Sequence, residues 1–168
     1  MPLVPSILAE GPEPKLKFLA TALRWYGEAL LACGPREARV ASAIASLEAL
    51  FLGDNPPPGE ISFRFTQRVV ALLRCFGWTP LETRAILKRA YDVRSKYVHG
   101  AASKKFTSDE MTKLFQDVAE CARVSCLIWM QIVTAHNRQD ALTILEDSLI
   151  DEAAYVQLKT WCAAIELW

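Results

Sequence analysis

The sequence predicts an all-α protein, a helical bundle of about five to seven helices. Apolar residues recur at the three- and four-residue spacing of amphipathic helices in nearly every segment of the chain. These segments are separated by glycine and proline, which end helices, and no segments alternate and pair as strands would. The 168 residues, 52% of them hydrophobic, are enough for one domain with a substantial core over residues 1–168. Such a domain could also be one part of a longer protein.

The first half of the chain predicts three helices. The first spans Lys15–Ala32, because its apolar residues follow helical spacing until a Gly-Pro pair stops it. The second spans about Arg36–Leu52, and the third about Ser62–Phe76. Between them, residues 53–60 contain three consecutive prolines, which cannot continue a helix, so a Pro-rich loop is expected there.

The second half predicts a fourth and a fifth helix and a helical tail. Thr79-Pro80-Leu81-Glu82 is typical of a helix start, with a threonine N-cap, proline at the first position and a glutamate that completes a capping box. Gly100 is expected to end this helix in the left-handed conformation. A long helix should follow over Ser108–His136, and one or two more over Gln139–Trp168, with a break near Asp151.

Charge and cysteine content narrow the classes of function. Lys+Arg and Asp+Glu both number 19, so no global positive field attracts nucleic acid, although residues 82–105 hold seven cations against two acids. The five cysteines are scattered without a CxxC pair, which favours reduced thiols over a disulfide framework or a zinc site. No metal or cofactor is expected. The apolar segment around residues 126–133 is predicted to be too short to span a membrane, and we expect a cytoplasmic protein.

Tyr91–Gly100 carries the residues that could perform chemistry. Arg94 and His99 lie five residues apart near the end of the fourth helix. Histidine exchanges protons near neutral pH and a guanidinium binds phosphate, so the pair could form a minimal ribonuclease site. On a regular helix the two would point about 140° apart. They would converge only at a distorted helix end or across a two-fold dimer, and a helix-capping histidine with an ion-paired arginine explains the same residues without catalysis.

Three pieces of sequence occur together in a fixed order. They are Ala45–Gly53 with Glu48, Ile61–Leu73 with Arg64 and Arg68, and Tyr91–Gly100 with Arg94 and His99. In this order they resemble the HEPN superfamily, and within it the Apea-like HEPN domains, whose signature is Arg-x(4–6)-His. Many active members have Asn, Asp or His after the arginine; this chain has Ser95, which is common in the Apea-like branch.

The resemblance implies a helical domain that forms a homodimer and, in active members, cleaves RNA without a metal. It implies a toxin–antitoxin or antiviral defence context, with Arg94 and His99 as the catalytic pair. The alternative is a catalytically silent HEPN module that binds RNA or assembles a complex, with a partner protein or a fused domain. A purely structural bundle is a third interpretation.

Further residues are expected to support this site or to contact RNA. Glu48 lies in an apolar helix stretch, so if buried it needs a partner; it would either orient Arg94 or form a structural ion pair. Arg64 and Arg68 share a helix face that could bind phosphate or simply face solvent. Tyr91 and Tyr97 could stack on bases or pack beside the core. The supporting candidates are Glu48, Ser95 and Tyr91, and the RNA-binding candidates are Arg64, Arg68, Lys96 and Tyr97.

Overall fold

The computed structural model describes residues 13–53, 61–100 and 106–166, and this part of the chain is all-α without a strand. A short 3-10 turn at Pro14–Leu16 precedes seven α-helices. The helices are α1 Lys17–Leu31, α2 Arg36–Phe51, α3 Ile61–Arg74, α4 Pro80–Val98, α5 Ser108–Ala135, α6 Arg138–Asp147 and α7 Glu152–Ala163. The predicted all-α bundle is confirmed. The predicted Pro-rich loop lies, from residue 54 to residue 60, outside the described residues.

The predicted capping box at the start of α4 does not form. Thr79 is the N-cap residue and Pro80 is the first residue of the helix, but the Thr79 side chain makes no capping hydrogen bond. The fixed φ of proline suits the first turn without one. A complete capping box occurs instead at α5, where the Thr107 hydroxyl accepts from the Glu110 N–H at 3.2 Å and the Glu110 carboxylate accepts from the Thr107 N–H at 2.8 Å.

Helix α2 lies at the centre of the bundle and packs against α1, α4 and α5. Among the described residues, Trp129 of α5 is the largest side chain that is fully buried. The rings of Phe18 and Phe51 meet this tryptophan edge-on, with centroids 5.4 and 5.9 Å away. Edge-to-face pairs of this kind add to the stabilisation from burial. The aromatic cluster therefore fixes α2, which also carries Glu48, relative to the rest of the bundle.

Two arginines from distant parts of the chain bind the C-terminal end of α2. The last carbonyls of a helix lack intrahelical partners and carry partial negative charge. Arg68 donates to the Phe51 carbonyl, and Arg138 donates to the carbonyls of Ala49, at 2.8 Å, and Leu52. The end of α2 is thus held by α3 and α6 through main-chain contacts that do not depend on α2's side chains.

Helix α5 is the one described helix that is long and apolar enough, by length and composition, to cross a membrane. The prediction that the apolar segment around residues 126–133 is too short is wrong, because the 28-residue helix contains an apolar window of 18 residues. Its most apolar window is 56% buried inside the bundle. A core helix that packs against α1 and α2, as α5 does, passes the same test of composition.

Candidate functional site at the end of helix α4

The motif Tyr91–Gly100 occupies the last turns of α4 and the residues directly after it. The helix ends at Val98, and His99 is its C-cap, with its N–H bonded to the Ser95 carbonyl at 3.1 Å. Gly100 has φ +66°, the left-handed conformation that glycine adopts without strain. The predicted helix end at this glycine is confirmed. Arg94 therefore lies within the helix, whereas His99 lies just beyond its regular part.

Arg94 forms an ion pair with Glu48 of α2. The Arg94 Nη2 and Glu48 Oε2 atoms are 3.0 Å apart, and the side chains are 29% and 15% exposed. Burial raises the pKa of Glu48, and the charge and hydrogen bond of Arg94 offset part of this rise. The other acid considered as a partner of Arg94, Asp92, instead binds Lys96 Nζ at 2.7 Å. The structure thus brings Glu48 and Arg94 into contact. Glu48 could orient Arg94 for catalysis or form a structural ion pair with it, and both interpretations require this contact.

Tyr91 lies beside this ion pair, inside the bundle. Its ring is 6.1 Å from the ring of Phe65 on α3, and the Arg94 guanidinium lies 5.8 Å from its centroid. Burial raises the pKa of the Tyr91 hydroxyl, and the nearby Glu48 carboxylate adds to the rise. Tyr91 therefore packs beside the core and contacts the Arg94 guanidinium through its ring.

The outer end of the motif is open to solvent. Tyr97, Val98 and His99 are exposed, and Ser95 is half-buried on the preceding turn. Lys96, another candidate for RNA contact, is held by its ion pair one turn back along the helix. The imidazole of His99 is therefore accessible to solvent and follows the exposed residues Tyr97 and Val98. It lies about one turn beyond Arg94, which Glu48 holds in place.

Arg64 and Arg68, the other candidates for phosphate binding, are both occupied by one carboxylate. Arg64 Nε lies 3.0 Å from Glu146 Oε1, and Arg68 Nη2 lies 2.8 Å from the same oxygen. The Arg68 side chain is only 9% exposed, so the interpretation of this pair as a solvated face is wrong for Arg68. Its second partner, the carbonyl of Phe51, shows that Arg68 serves helix packing.

Glu146 is a structural residue that the sequence analysis did not identify. Its partners precede it by 82 and 78 residues. A carboxylate on the inner side of amphipathic helix α6 is the signal that could have predicted a buried cation opposite it. The partners themselves depend on how α6 packs against α3.

Comparisons with protein-family models, with curated proteins and with solved structures give no match for this chain. The resemblance to the HEPN superfamily therefore stays a prediction from the three pieces of sequence.

Proposed function

We propose that this protein is a metal-independent endoribonuclease of the HEPN type, active as a homodimer in a defence or toxin–antitoxin context. The observation that supports this best is the contrast between the two motif residues. His99 is exposed directly after the helix end, while Arg94 is held in place by Glu48 at 3.0 Å. An exposed proton carrier and a positioned cation, brought together on one phosphate, are the minimum that phosphodiester cleavage requires.

The proposed reaction begins with attack of the ribose 2′-oxygen on the adjacent phosphorus. The bond from the 2′-oxygen to phosphorus forms, the bond from phosphorus to the 5′-oxygen breaks, and the products are a 2′,3′-cyclic phosphate and a 5′-hydroxyl. His99 takes the 2′-hydroxyl proton as general base or gives a proton to the leaving oxygen as general acid. Arg94 stabilises the negative charge that grows on the phosphorane oxygens. DNA, which lacks the attacking hydroxyl, would not be cleaved.

A dimer gives this pair the geometry that one helix lacks. Because five helical residues turn the chain by about 140°, the second copy would supply the mate of each residue across a two-fold axis. The exposed side chains of Tyr97 and Val98 lie directly before His99 and offer apolar surface for such contact. A shared cleft would then contain two histidines, one for each proton transfer.

The second candidate function is a catalytically silent module that binds RNA or assembles a complex. The ion pair favours it, because Arg94 Nη2 is already bound to Glu48 and a phosphate would have to share or displace this contact. Burial raises the pKa of Glu48, so the arginine also stabilises a carboxylate that would otherwise be unfavourable inside the bundle. In such a module the exposed apolar residues near His99 would serve assembly alone.

The deciding experiment incubates purified protein with labelled RNA in the presence of EDTA. His99→Ala is compared with His136→Ala, which removes the chain's other histidine, a helix-end residue stacked on Trp161 with ring centroids 3.6 Å apart. We expect wild type and His136→Ala to release fragments ending in a 2′,3′-cyclic phosphate, and His99→Ala to lose cleavage. Wild type that binds RNA without cleaving it would instead favour the silent module. Sedimentation of wild type tests the dimer directly.

A further inference from the structure

A groove lined by both polar and apolar side chains runs between α3 and α4, apart from the Arg94–Glu48 ion pair. Its volume is about 490 Å³. Helix α4 contributes Arg84 and Lys88, and α3 contributes Phe63, Thr66 and Gln67. No acidic side chain occurs among the described residues that line it. The groove is therefore cationic on one wall and carries an aromatic ring, a hydroxyl and an amide on the other.

The two cations of this groove are free to bind a ligand. Arg84 and Lys88 are exposed, and neither forms an ion pair with any carboxylate in the described ranges. This distinguishes them from Arg64, Arg68 and Arg94, whose guanidinium groups are bound to Glu146 or Glu48. Unpaired cations one helical turn apart, with side chains about 6 Å from each other at Cβ, suit a chain of phosphates.

Phe63 gives the groove a surface for a base. Its side chain is 60% exposed, so the face of the ring is accessible to a ligand. Nucleobases stack on such rings whatever their sequence, and single-stranded nucleic acid is bound by cations that follow the backbone together with aromatic platforms. Duplex RNA keeps its bases stacked on one another and cannot use the ring in this way.

The groove lies along the same side of α4 as part of the motif. Arg84, Lys88, Tyr91 and Ser95 follow one another at spacings of four, three and four residues, so they form one stripe along the helix. From Lys88 to His99 the helix rises about 16 Å. A strand held at Lys88 could therefore continue toward His99 within a few nucleotides.

We infer that the groove between α3 and α4 binds a single-stranded segment of RNA next to the cleavage site. Arg84 and Lys88 contact successive phosphates, and one base stacks on Phe63. The identity of the ligand as RNA rests on the proposed function, whereas the position of the binding site rests on the groove itself.

The test of the cations measures fluorescence anisotropy of a short labelled single-stranded RNA across a range of salt concentrations, in a His99→Ala background that prevents cleavage. Arg84→Gln and Lys88→Gln are each compared with Arg89→Gln, which removes the same charge from the same helix on the side facing Phe106, 5.6 Å away. Each groove variant should weaken binding and reduce the slope of log Kobs against log salt by about 0.7. The Arg89 variant should keep the wild-type slope. Equal effects of all three changes would overturn the inference.

The test of the ring compares Phe63→Ala with Leu81→Ala, which truncates an exposed apolar residue of α4 outside the groove. Loss of base stacking should weaken single-stranded RNA binding about 5- to 150-fold, leave duplex binding unchanged, and spare the Leu81 variant. If Phe63→Ala turns a dimer into a monomer and leaves RNA affinity unchanged, the groove is a protein interface and the inference fails.

These outcomes distinguish a failure of the groove inference from a failure of the proposed nuclease function. If wild type cleaves RNA while all groove variants bind like wild type, the groove inference fails and the nuclease stands. If binding depends on Arg84, Lys88 and Phe63 but no cleavage occurs, the groove stands and the nuclease fails. Wild type that binds no single-stranded RNA overturns the groove inference whatever the cleavage assay shows.

Discussion

We expect Glu146→Ala to destabilise the bundle, because the Glu146 carboxylate binds two arginines of α3. Its carboxylate accepts hydrogen bonds from Arg64 at 3.0 and 3.4 Å and from Arg68 at 2.8 Å. The Arg64 contacts are about one third exposed, and exposed pairs contribute at most about 1 kcal/mol. Arg68, with a side chain 9% exposed, would keep a buried charge without a carboxylate.

The loss of unfolding free energy in Glu146→Ala depends mainly on leaving the buried Arg68 guanidinium without its carboxylate. Removing one partner of a fully buried ion pair costs about 3–5 kcal/mol. Glu146 is itself 33% exposed, and Arg68 retains the Phe51 carbonyl as an acceptor, so the value here should be lower. We expect Glu146→Ala to reduce the free energy of unfolding by about 2–3 kcal/mol, and Tm by about 4–12 °C for a chain of this length.

Urea and thermal unfolding at pH 7 provide the assay. Glu146→Gln keeps one carbonyl acceptor and should cost about 1 kcal/mol. Asp147→Ala removes the adjacent, exposed carboxylate and should change stability by less than about 0.5 kcal/mol. The reasoning is refuted if Glu146→Ala and Asp147→Ala unfold at the same urea concentration, because Arg68 would then be hydrated without its partner.

Three further predictions concern the ion pair, a thiol and the helix end. Because the native protein raises the pKa of Glu48, its ionisation opposes folding; the stability of Glu48→Gln relative to wild type should therefore rise with pH from about 4.5 upward, as urea titrations at several pH values would show. A flat difference across this window would contradict the assignment. Contact with the neighbouring Cys162 thiol lowers the pKa of half-buried Cys75. Burial instead raises the pKa of the two α5 thiols, to about 12 for Cys121 and about 11 for Cys126. Iodoacetamide at pH 7 should consequently alkylate Cys75 before either α5 thiol, and mass spectrometry of peptides reports the order. Gly100→Ala should cost about 1 kcal/mol in thermal unfolding because of its φ of +66°, since an added Cβ would meet none of the described residues. Gly34→Ala, whose Cβ would likewise meet none of them and whose φ is ordinary, should cost less.

Features set by neighbouring residues were predictable from the sequence. The left-handed end of α4 follows from Gly100, and the break before α7 follows from Asp151, whose carboxylate caps the Ala154 N–H at 2.9 Å. Thr79 shows the limit even of local rules, because its capping side chain fits the pattern and still makes no bond. Proline at the first position fixes φ for the first turn, and the pattern cannot reveal which of the two helix-start signals is used.

Contacts between distant segments were predictable only where chemistry left few choices. Glu48 was identifiable because an acid in an apolar helix stretch needs a partner, and Arg94 is that partner. For Arg68 the sequence offered no such restriction, since an arginine can face solvent at little cost. Its burial depends on α6 packing against α3, which is a property of the assembled bundle. The same limit applies to the groove, whose two walls come from different helices.

The contact of Arg68 with both Phe51 and Glu146 has a consequence for synthesis of the protein. It joins α2, α3 and α6 through residues separated by 17 and 78 positions in sequence. A nascent chain that already contains the whole motif of α4 still lacks the carboxylate that neutralises Arg68. Because α6 must leave the ribosome before this junction can close, we expect chains truncated after α5 to expose an uncompensated cation and to fold poorly.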